Sequence, residues 1–289
     1  MRATMLGNVG AAIALAGLLV GCAHGTPAPT TSPEPEPEPT LSPAPAAQPL
    51  PPGGFDYQLG GGYEPTPGVA IVARDRTGVA SPQHYSICYV NGFQTQPGDL
   101  DLWPDAAILR RDGAPVWDPD WPDEALLDTR TEQSRAAITA TVAPWIEQCA
   151  RDGFQAVEFD NLDTYTRSEG MLRRDGNLAL ARGFVQIAHE HGLAAGQKNA
   201  AEDTALLRAE AGFDFAVAEE CAVWNECDSY TEVYGEAVLM IEYVDDLPQP
   251  FDALCRAATY PARVILRDRD LVPAGSPEHI FEACPPRDS

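Results

Sequence analysis

The sequence predicts a single (β/α)8 barrel, the α/β architecture known as the TIM barrel, over residues 53–289. Three observations lead to this fold class. Eight short apolar runs end in polar residues, helical patterns separate the later runs, and about 237 residues is the usual length of one such barrel. Strands that alternate with helices form a parallel sheet, and eight of them favour closure. An open, doubly wound sheet is the alternative architecture.

The eight apolar runs are the predicted strands. In chain order they are YQLGG (57–61), VAIVAR (69–74), YSICYVNG (85–92), FQAVEFD (154–160), LAAGQKN (193–199), FDFAVAEE (213–220), VLMIEY (238–243) and RVILRD (263–268). The connection between the first two runs is too short for a crossover helix. Residues 94–128 are rich in Trp, Pro and Asp, and we expect them to form a long loop over one mouth of the barrel.

Three helices are predicted between the later strands. Apolar residues recur at helical spacing over 132–150, with a kink expected at Pro144. A second helix is expected to begin at Asn177 as the N-cap and to stop at Gly192. A third is predicted over 201–211.

The N-terminal 52 residues are predicted to lie outside the fold. Residues 1–21 have the layout of a signal peptide, with Arg2 followed by an apolar run that is too short to span a bilayer. The sequence LVGC that ends at Cys22 resembles the lipobox of bacterial lipoproteins, in which the cysteine becomes the acylated N-terminus. An ordinary signal peptide is the alternative. Residues 22–52, rich in Pro, Glu and Thr, predict a disordered, extended linker.

These features predict an exported protein. It is expected either to be a cell-envelope lipoprotein at the outer face of a membrane or to be secreted, with the lipid on Cys22 as its only membrane contact. The formal net charge of −24 makes nucleic acid an improbable partner. The same charge is compatible with a cationic substrate, although a generally acidic surface is the preferred explanation. We expect a monomer.

The cysteines predict disulfides. Six follow Cys22, an even number in an exported chain, and fifteen pairings are open to them. Cys221 with Cys227 is favoured because it closes a small loop, and Cys255 with Cys284 would tie down the C-terminus. The remaining two are Cys88 and Cys149. The spacings typical of zinc ligands are missing, so no metal site is predicted.

The run FQAVEFD brings acidic side chains to a strand end. Side chains alternate across a strand, so Glu158 and Asp160 share one face while Val157 and Phe159 share the other. If the apolar face packs on helices, the two acids point into the barrel mouth, where functional residues of such barrels lie. Converging carboxylates are what glycoside hydrolysis requires. Mg²⁺-dependent phosphate chemistry uses similar residues and remains the alternative.

Four ordered motifs make the sequence similar to a known family. VEFDNLDTY, GQKN, AEECAVWNEC and IEY resemble the strand ends of glycoside hydrolase family 114, the endo-α-1,4-polygalactosaminidase-like TIM-barrel proteins. The resemblance covers essentially the whole predicted domain. It implies endo-acting cleavage of α-1,4-linked galactosamine-containing polysaccharide, by two carboxylates and without a cofactor.

The resemblance also implies residue roles. The catalytic pair falls on Asp160, assigned as nucleophile, and Glu219, assigned as acid/base, and the two roles could be exchanged. Supporting or substrate-binding residues are expected among the family motifs, the strand ends and the aromatic residues of the same face: Tyr57, Asn91, Glu158, Asn161, Asp163, Tyr165, Lys198, Asn199, Trp224 and Glu242. A buried salt bridge to Asp160 or Glu242 is the alternative role of Lys198. Trp103, Trp117, Trp121 and Tyr243 also fall on the predicted active face.

The chain departs from the family pattern at several positions. Ala200 stands where many members have a carboxylate, Ala218 and Glu220 replace an Asn and a Gln, and Tyr57 stands in place of a tryptophan. These departures bear on the substrate more than on the chemistry. Two other functions therefore stay open, a lipid-anchored carbohydrate-binding protein without turnover and a metal-dependent phosphodiesterase.

Overall fold

The structure is a computed structural model, and it describes residues 46–285. The predicted signal peptide, Cys22 and the linker up to residue 45 lie outside the described residues. Within the described part, no helix has the length and apolar character needed to cross a membrane.

Eight parallel strands follow one another around a barrel, which confirms the predicted fold class. They are β1 Gly54–Tyr57, β2 Val69–Asp75, β3 Tyr85–Asn91, β6 Ala156–Asp160, β7 Ala194–Lys198, β8 Phe215–Glu219, β9 Val238–Tyr243 and β10 Arg263–Arg267, with β4 Arg110–Arg111 and β5 Ala114–Pro115 forming a separate hairpin. A short strand, β11 Phe281–Ala283, pairs antiparallel with β10. Neighbours in the sheet are neighbours in the chain, unlike the reversed strand order of a doubly wound sheet.

Arginines on the last parallel strand close the seam of the barrel. The guanidinium of Arg267, which is fully buried, donates to the backbone carbonyl of Tyr57 on β1 and forms an ion pair of 3.3 Å with Asp56. At the other end of the seam, Arg263 Nε donates to the Gly53 carbonyl at 3.1 Å. These side chains supply hydrogen bonds where β1 and β10 meet without a backbone ladder.

The helices lie outside this sheet. They are α1 Glu132–Arg151, α2 Thr164–Arg167, α3 Arg174–Glu190, α4 Thr204–Leu206 with a π-helical continuation Leu207–Ala211, α5 Cys221–Trp224, α6 Cys227–Tyr234 and α7 Phe251–Arg256. Helix α1 begins after Thr131, whose hydroxyl accepts from the Ser134 amide, and it continues through Pro144.

The predicted N-cap of the second helix is wrong. Helix α3 begins at Arg174, so Asn177 lies inside its first turn. The Asn177 side chain is buried and donates to the Leu162 carbonyl and the Thr164 hydroxyl. It therefore fixes the loop that follows β6 and does not cap its own helix.

The core has two layers, as the alternation along β6 predicted. Phe55, Ile87, Phe215 and Ile241 are among the side chains that fill the barrel interior. The opposite faces of the strands carry Val157, Phe159 and others, which pack against α1 and α3. Phe159 stacks on Phe184 of α3 with 5.2 Å between ring centroids.

The ordered part begins before the predicted domain boundary at Gly53. Ala47 and Leu50 pack against the interior of the barrel at its N-terminal end. Tyr85 donates its hydroxyl proton to the Gln48 carbonyl at 2.7 Å, and Arg263 donates to the Pro51 carbonyl at 3.0 Å. The end of the predicted linker thus closes the bottom of the barrel.

Three disulfides cross-link the domain. The two favoured pairs, Cys221–Cys227 and Cys255–Cys284, both form. The third, Cys88–Cys149, joins β3 to α1. A cross-link stabilises chiefly by restricting the unfolded chain, and the effect grows with the length of the closed loop. Cys88–Cys149 closes the longest one, with a sequence separation of 61.

Candidate active site

Three carboxylates meet one buried lysine at the C-terminal mouth of the barrel. Lys198 Nζ, at the end of β7, lies 3.7 Å from Glu158 Oε1, 3.5 Å from Asp160 Oδ2 and 3.1 Å from Glu219 Oε2. Its side chain is 3% exposed, whereas Asp160 and Glu219 keep 16% and 22%. The structure therefore brings together the residues predicted from β6, β7 and β8, and it exposes the two proposed catalytic groups.

Each carboxylate also accepts a hydrogen bond from a tyrosine. The Tyr57 hydroxyl donates to Glu158 Oε1 at 2.6 Å, and the Tyr89 hydroxyl donates to Asp160 Oδ2 at 2.7 Å. Tyr243 donates to Glu219 Oε1. Because these tyrosines stand on β1, β3 and β9, the barrel interior itself orients all three acids.

Left-handed backbone conformations at three strand ends fix the remaining contacts. Asn161, Asn199 and Glu220 have φ values of 64°, 49° and 54°. The Asn161 amide donates to Asp160 Oδ1 at 2.7 Å. Asn199 donates to Glu219 Oε2 at 3.1 Å and accepts from the Glu219 amide at 2.8 Å. Such backbone conformations cost of order 1 kcal/mol or more for residues other than glycine and cluster at functional sites.

Burial and charge set the protonation states of the cluster. Burial raises the pKa of Glu158 to about 7, against the opposing effects of Lys198 and Tyr57. Burial alone would lower the pKa of Lys198, but the three carboxylates outweigh it and the pKa is raised. The pKa values of the three tyrosines are raised by burial and then by the neighbouring acids. At neutral pH the lysine is charged and the tyrosines are neutral donors.

Glu158 is the most buried member of the cluster. It is fully buried, and its Oε2 has no hydrogen-bond partner among residues 46–285. An ionised carboxylate with an unpartnered oxygen is costly in a dry interior, which is the physical reason for its raised pKa. Glu158 is therefore more deeply buried than Asp160 and Glu219, and it contacts Lys198 and Tyr57.

A fourth acid, which the sequence reasoning missed, comes from the long loop after β3. Glu124 Oε2 accepts from Asn91 at 3.1 Å and from Gln94 at 2.6 Å. Burial raises the pKa of Glu124, and Asp160 adds to the increase. The predicted site residue Asn91 therefore holds an acid beside Asp160, and the loop covers the mouth as expected.

Arg167 ties this loop to the strand end that carries Asp160. Its Nε donates to the fully buried carboxylate of Asp118 at 2.7 Å, and its Nη1 lies 2.8 Å from Asp163. Its Nη2 donates to the Asn161 side chain at 3.0 Å. Two predicted binding residues, Asp163 and Asn161, are thus engaged in holding the loop.

Several predicted residues lie apart from the cluster. The Tyr165 hydroxyl donates to Asp203 at 2.8 Å, and Trp224 is 68% exposed on α5. Trp103 is buried against Trp145 and lines no groove. Glu242 lies on the helix-facing side of β9, where its Oε1 accepts from the Ala222 amide at 3.1 Å. The structure therefore leaves Glu242 without a contact to Lys198 or to the mouth.

The burial of Glu242 predicts a stability effect. Burial raises its pKa from 4.5 to about 7, so the folded state binds a proton more tightly than the unfolded state. Stability is therefore lost as pH rises from about 4.5 to about 7 and stays lower above that range. We expect Glu242→Gln to be more stable than wild type by about 2 to 3 kcal/mol at pH 8 and equally stable at pH 4.

Urea unfolding at pH 4 and pH 8 measures this difference. Glu147→Gln, a half-exposed acid on α1, is the matched control and should show no such pH dependence. If Glu242→Gln changed the free energy of unfolding equally at both pH values, the effect would not depend on the protonation of Glu242. That result would contradict a raised pKa as its cause.

No group of three His, Cys, Asp or Glu residues suited to a metal ion occurs within 46–285. The cation among the clustered carboxylates is Lys198.

The barrel with paired acids at the C-terminal ends of its strands defines a TIM-barrel glycoside hydrolase. The chain belongs to glycoside-hydrolase family GH114, whose family model matches residues 37–286. This confirms the resemblance found in the sequence.

Solved structures with the same fold include two carbohydrate-related proteins. Ega3 of Aspergillus fumigatus, solved in complex with galactosamine, is 20% identical, with 85% of this chain and 100% of that chain covered and a TM-score of 0.67. A variant of the glycoside hydrolase domain of PelA from Pseudomonas aeruginosa is 15% identical, with 77% and 97% covered and a TM-score of 0.54. No curated protein matches the chain significantly.

Proposed function

We propose that this glycoside hydrolase cleaves α-1,4-linked, galactosamine-containing polysaccharide at internal bonds by a two-carboxylate mechanism. The observation that carries the proposal is the pair Asp160 and Glu219, both partly exposed at the mouth and both held by Lys198. Membership of GH114 and the galactosamine bound to the similarly folded Ega3 support the substrate class.

In this mechanism Asp160 is the nucleophile and Glu219 is the acid/base. Asp160 attacks the anomeric carbon while Glu219 gives its proton to the departing glycosidic oxygen. Glu219 then takes a proton from the water that cleaves the glycosyl ester. The hydrogen bonds to Asp160 from Tyr89 and the Asn161 amide fix the attacking carboxylate. Glu219 is the more exposed of the two, which suits a group that must reach a leaving oxygen.

The distances to Lys198 support a retaining reaction. Asp160 Oδ2 and Glu219 Oε2 lie 3.5 Å and 3.1 Å from Nζ, so these two oxygens are at most 6.6 Å apart. Retaining enzymes hold their carboxyl groups about 5 Å apart, and inverting enzymes hold them about 6.5 to 9.5 Å apart. Most of the carboxyl separations found in inverting enzymes are therefore larger than the greatest possible distance between these two oxygens.

Exposed aromatic residues and acids support a polymeric, cationic substrate. Trp121 is 60% exposed on the loop that holds Glu124, and Trp224 is 68% exposed five residues after Glu219. Indole faces cover the C–H faces of sugar rings. Trp121 follows β3 and Trp224 follows β8, and two separate platforms suit a polymeric chain of the kind that internal cleavage requires. The excess of acidic over basic residues in the chain favours a substrate that carries protonated amino groups.

Incubation of the purified protein with partly deacetylated α-1,4-galactosaminan, with and without EDTA, tests the function. We expect oligosaccharides of mixed length from the earliest times, and the same release in EDTA. Monosaccharide as the first product would contradict the endo mode. Binding without release would favour the carbohydrate-binding alternative, and loss of activity in EDTA would favour metal-dependent chemistry.

The same proposal includes export and a lipid anchor on Cys22. The signal-like residues 1–21 and the LVGC sequence support it. In an expressing bacterium, we expect Cys22→Ala to move the protein from the membrane fraction to the soluble envelope fraction and to end incorporation of labelled palmitate. Equal labelling of both forms would contradict lipidation of Cys22.

A further inference from the structure

Glu220 and Asp245 form a bracket around the guanidinium of Arg269, beside the proposed acid/base Glu219. The proposed mechanism does not use these three charged residues. Arg269, just after β10, is held by Glu220 and Asp245, which follow β8 and β9. Its Nη2 and Nη1 donate to Glu220 at 2.7 Å and 3.3 Å. Its Nε and Nη2 donate to Asp245 at 2.7 Å and 2.9 Å. Three successive strand ends therefore fix one guanidinium.

The guanidinium lies on the ring of Tyr243. Its carbon is 4.6 Å from the ring centroid, which is a cation–π contact. Tyr243 is only 4% exposed, and its hydroxyl donates to Glu219 Oε1. Arg269 therefore contacts the ring of Tyr243, and the hydroxyl of the same tyrosine contacts Glu219.

Stability alone does not account for the bracket. The Arg269 side chain is 44% exposed, and ion pairs at such positions contribute little to stability. Glu220 meanwhile adopts a left-handed φ of 54°, which costs free energy immediately after Glu219. Glu220 also stands where the family resemblance leads one to expect glutamine, and the structure shows that its charge pairs with Arg269.

We propose that Arg269 is a positioning residue for Glu219. The bracket of Glu220 and Asp245 holds the guanidinium over Tyr243, the ring keeps its hydroxyl on Glu219, and the charges of the bracket act on the carboxyl group that the mechanism uses as acid and base. This inference deepens the proposed function, in which Glu219 must give and take that proton.

Other charged or titratable groups also act on Glu219, and the test must leave them unchanged. They are Lys198 on β7, Glu158 and Asp160 on β6, Tyr243 on β9, Tyr57 on β1 and Tyr230 on α6. Substitutions in the bracket remove none of these groups. A change in the titration of Glu219 therefore reports on the bracket.

The test follows the Glu219 carboxyl carbon by NMR in protein labelled with 13C-glutamate, with the signal assigned from the Glu219→Gln spectrum. Arg269→Gln removes a cation and the hold on Tyr243, so the midpoint of the Glu219 titration should rise by about half a pH unit or more. Asp245→Asn leaves Arg269 with one carboxylate less, so the midpoint should fall. Arg269→Lys keeps the charge and should give a midpoint between those of wild type and Arg269→Gln.

Turnover provides the second readout. In Arg269→Gln we expect kcat on the polysaccharide to fall about tenfold with KM within about twofold, and the limb of the kcat–pH profile set by Glu219 to move with the NMR midpoint. Arg256→Gln removes a more exposed arginine, 73% against 44% for Arg269, from α7 and is the control for loss of surface charge.

Opposite shifts in Arg269→Gln and Asp245→Asn would support the inference, because a purely structural role predicts no such pair. An unchanged midpoint in both variants, or shifts in the same direction, would overturn it. The NMR arm needs no substrate. Opposite shifts in a protein that does not cleave galactosaminan would refute the proposed function alone, whereas cleavage with wild-type titration in every variant would refute this inference alone.

Discussion

Hydrolysis is expected to fall by at least about 1,000-fold in either Asp160→Asn or Glu219→Gln, with the fold retained. The amide of asparagine is no nucleophile, and glutamine has no acidic proton for the leaving oxygen. Both replacements keep the shape of the side chain and can still accept from Tyr89 or Tyr243. Initial rates on the polysaccharide measure the loss, and circular dichroism checks the fold.

Glu236→Gln is the matched control for this prediction. Glu236 is an exposed acid that precedes β9, so it lies at the opposite end of the barrel from the mouth. Its replacement should leave kcat and KM unchanged. Full activity in folded Asp160→Asn or Glu219→Gln protein would show that the assigned pair is wrong.

Azide distinguishes the roles of the two acids. In Asp160→Gly, azide can enter the vacated space and displace an activated leaving group once, which gives a product of inverted anomeric configuration. In Glu219→Ala, the ester on Asp160 still forms from an aryl glycoside, and azide then replaces Asp160, so two inversions give net retention. We expect β-azide from the first variant and α-azide from the second. The reverse pattern would exchange the two roles.

Strand alternation and barrel geometry made the centre of the site predictable. A period of two puts Glu158 and Asp160 on the face opposite Val157 and Phe159, and the structure confirms that division. Because a parallel barrel gathers the C-terminal ends of its strands at one mouth, Lys198 could be expected near both acids. The alternation along β6 and the topology of a parallel barrel were sufficient to predict that Glu158, Asp160 and Lys198 lie close together.

The same alternation would have excluded Glu242. Leu239, Ile241 and Tyr243 fill the barrel interior, so Glu242 between them must face the helices. The position of Glu242 at a strand end does not by itself show which face of the strand carries its side chain. The signal was present in the sequence VLMIEY, and it also indicates that Tyr243 is the residue of this strand that can reach the mouth.

The tyrosines that donate to Glu158 and Asp160 could not be predicted as their partners, because they lie far from these acids in the chain. Tyr89 meets Asp160 across 71 residues, and Tyr57 meets Glu158 across 101 residues. Glu124 belongs to a loop without regular periodicity, and Arg269 follows a strand that carries no other acid or base of the site. Their contacts depend on barrel closure and on loop conformation, which local sequence patterns do not specify.

Lys198→Met is expected to make the domain unstable in a pH-dependent way. Methionine matches the length of the lysine stem but leaves Glu158, Asp160 and Glu219 without their common cation. Removing one partner of a buried ion pair costs about 3 to 5 kcal/mol because the remaining charge is unpaired. We expect a loss of this size at pH 8, measured by urea unfolding against wild type.

The sign of the pH dependence follows from the carboxylates. Without the ammonium, Glu158 binds a proton more tightly in the folded state than in the unfolded state, so stability is lost as pH rises through its folded-state pKa. Burial already raises the pKa of Glu158 to about 7 with the lysine in place. The deficit of Lys198→Met should therefore shrink towards pH 4, where protonated acids no longer need a cation.

A double-mutant cycle tests whether charge is the cause. Glu158→Gln removes one uncompensated charge, so Lys198→Met combined with Glu158→Gln should be more stable at pH 8 than Lys198→Met alone. Glu147→Gln in place of Glu158→Gln, on α1 away from the cluster, should give no recovery. If the double variant recovers nothing and the deficit is the same at pH 4 and pH 8, lost packing and not lost charge explains the effect. Recovery at pH 8 that disappears at pH 4 would instead establish that Lys198 stabilises the domain as the counterion of the buried acid Glu158.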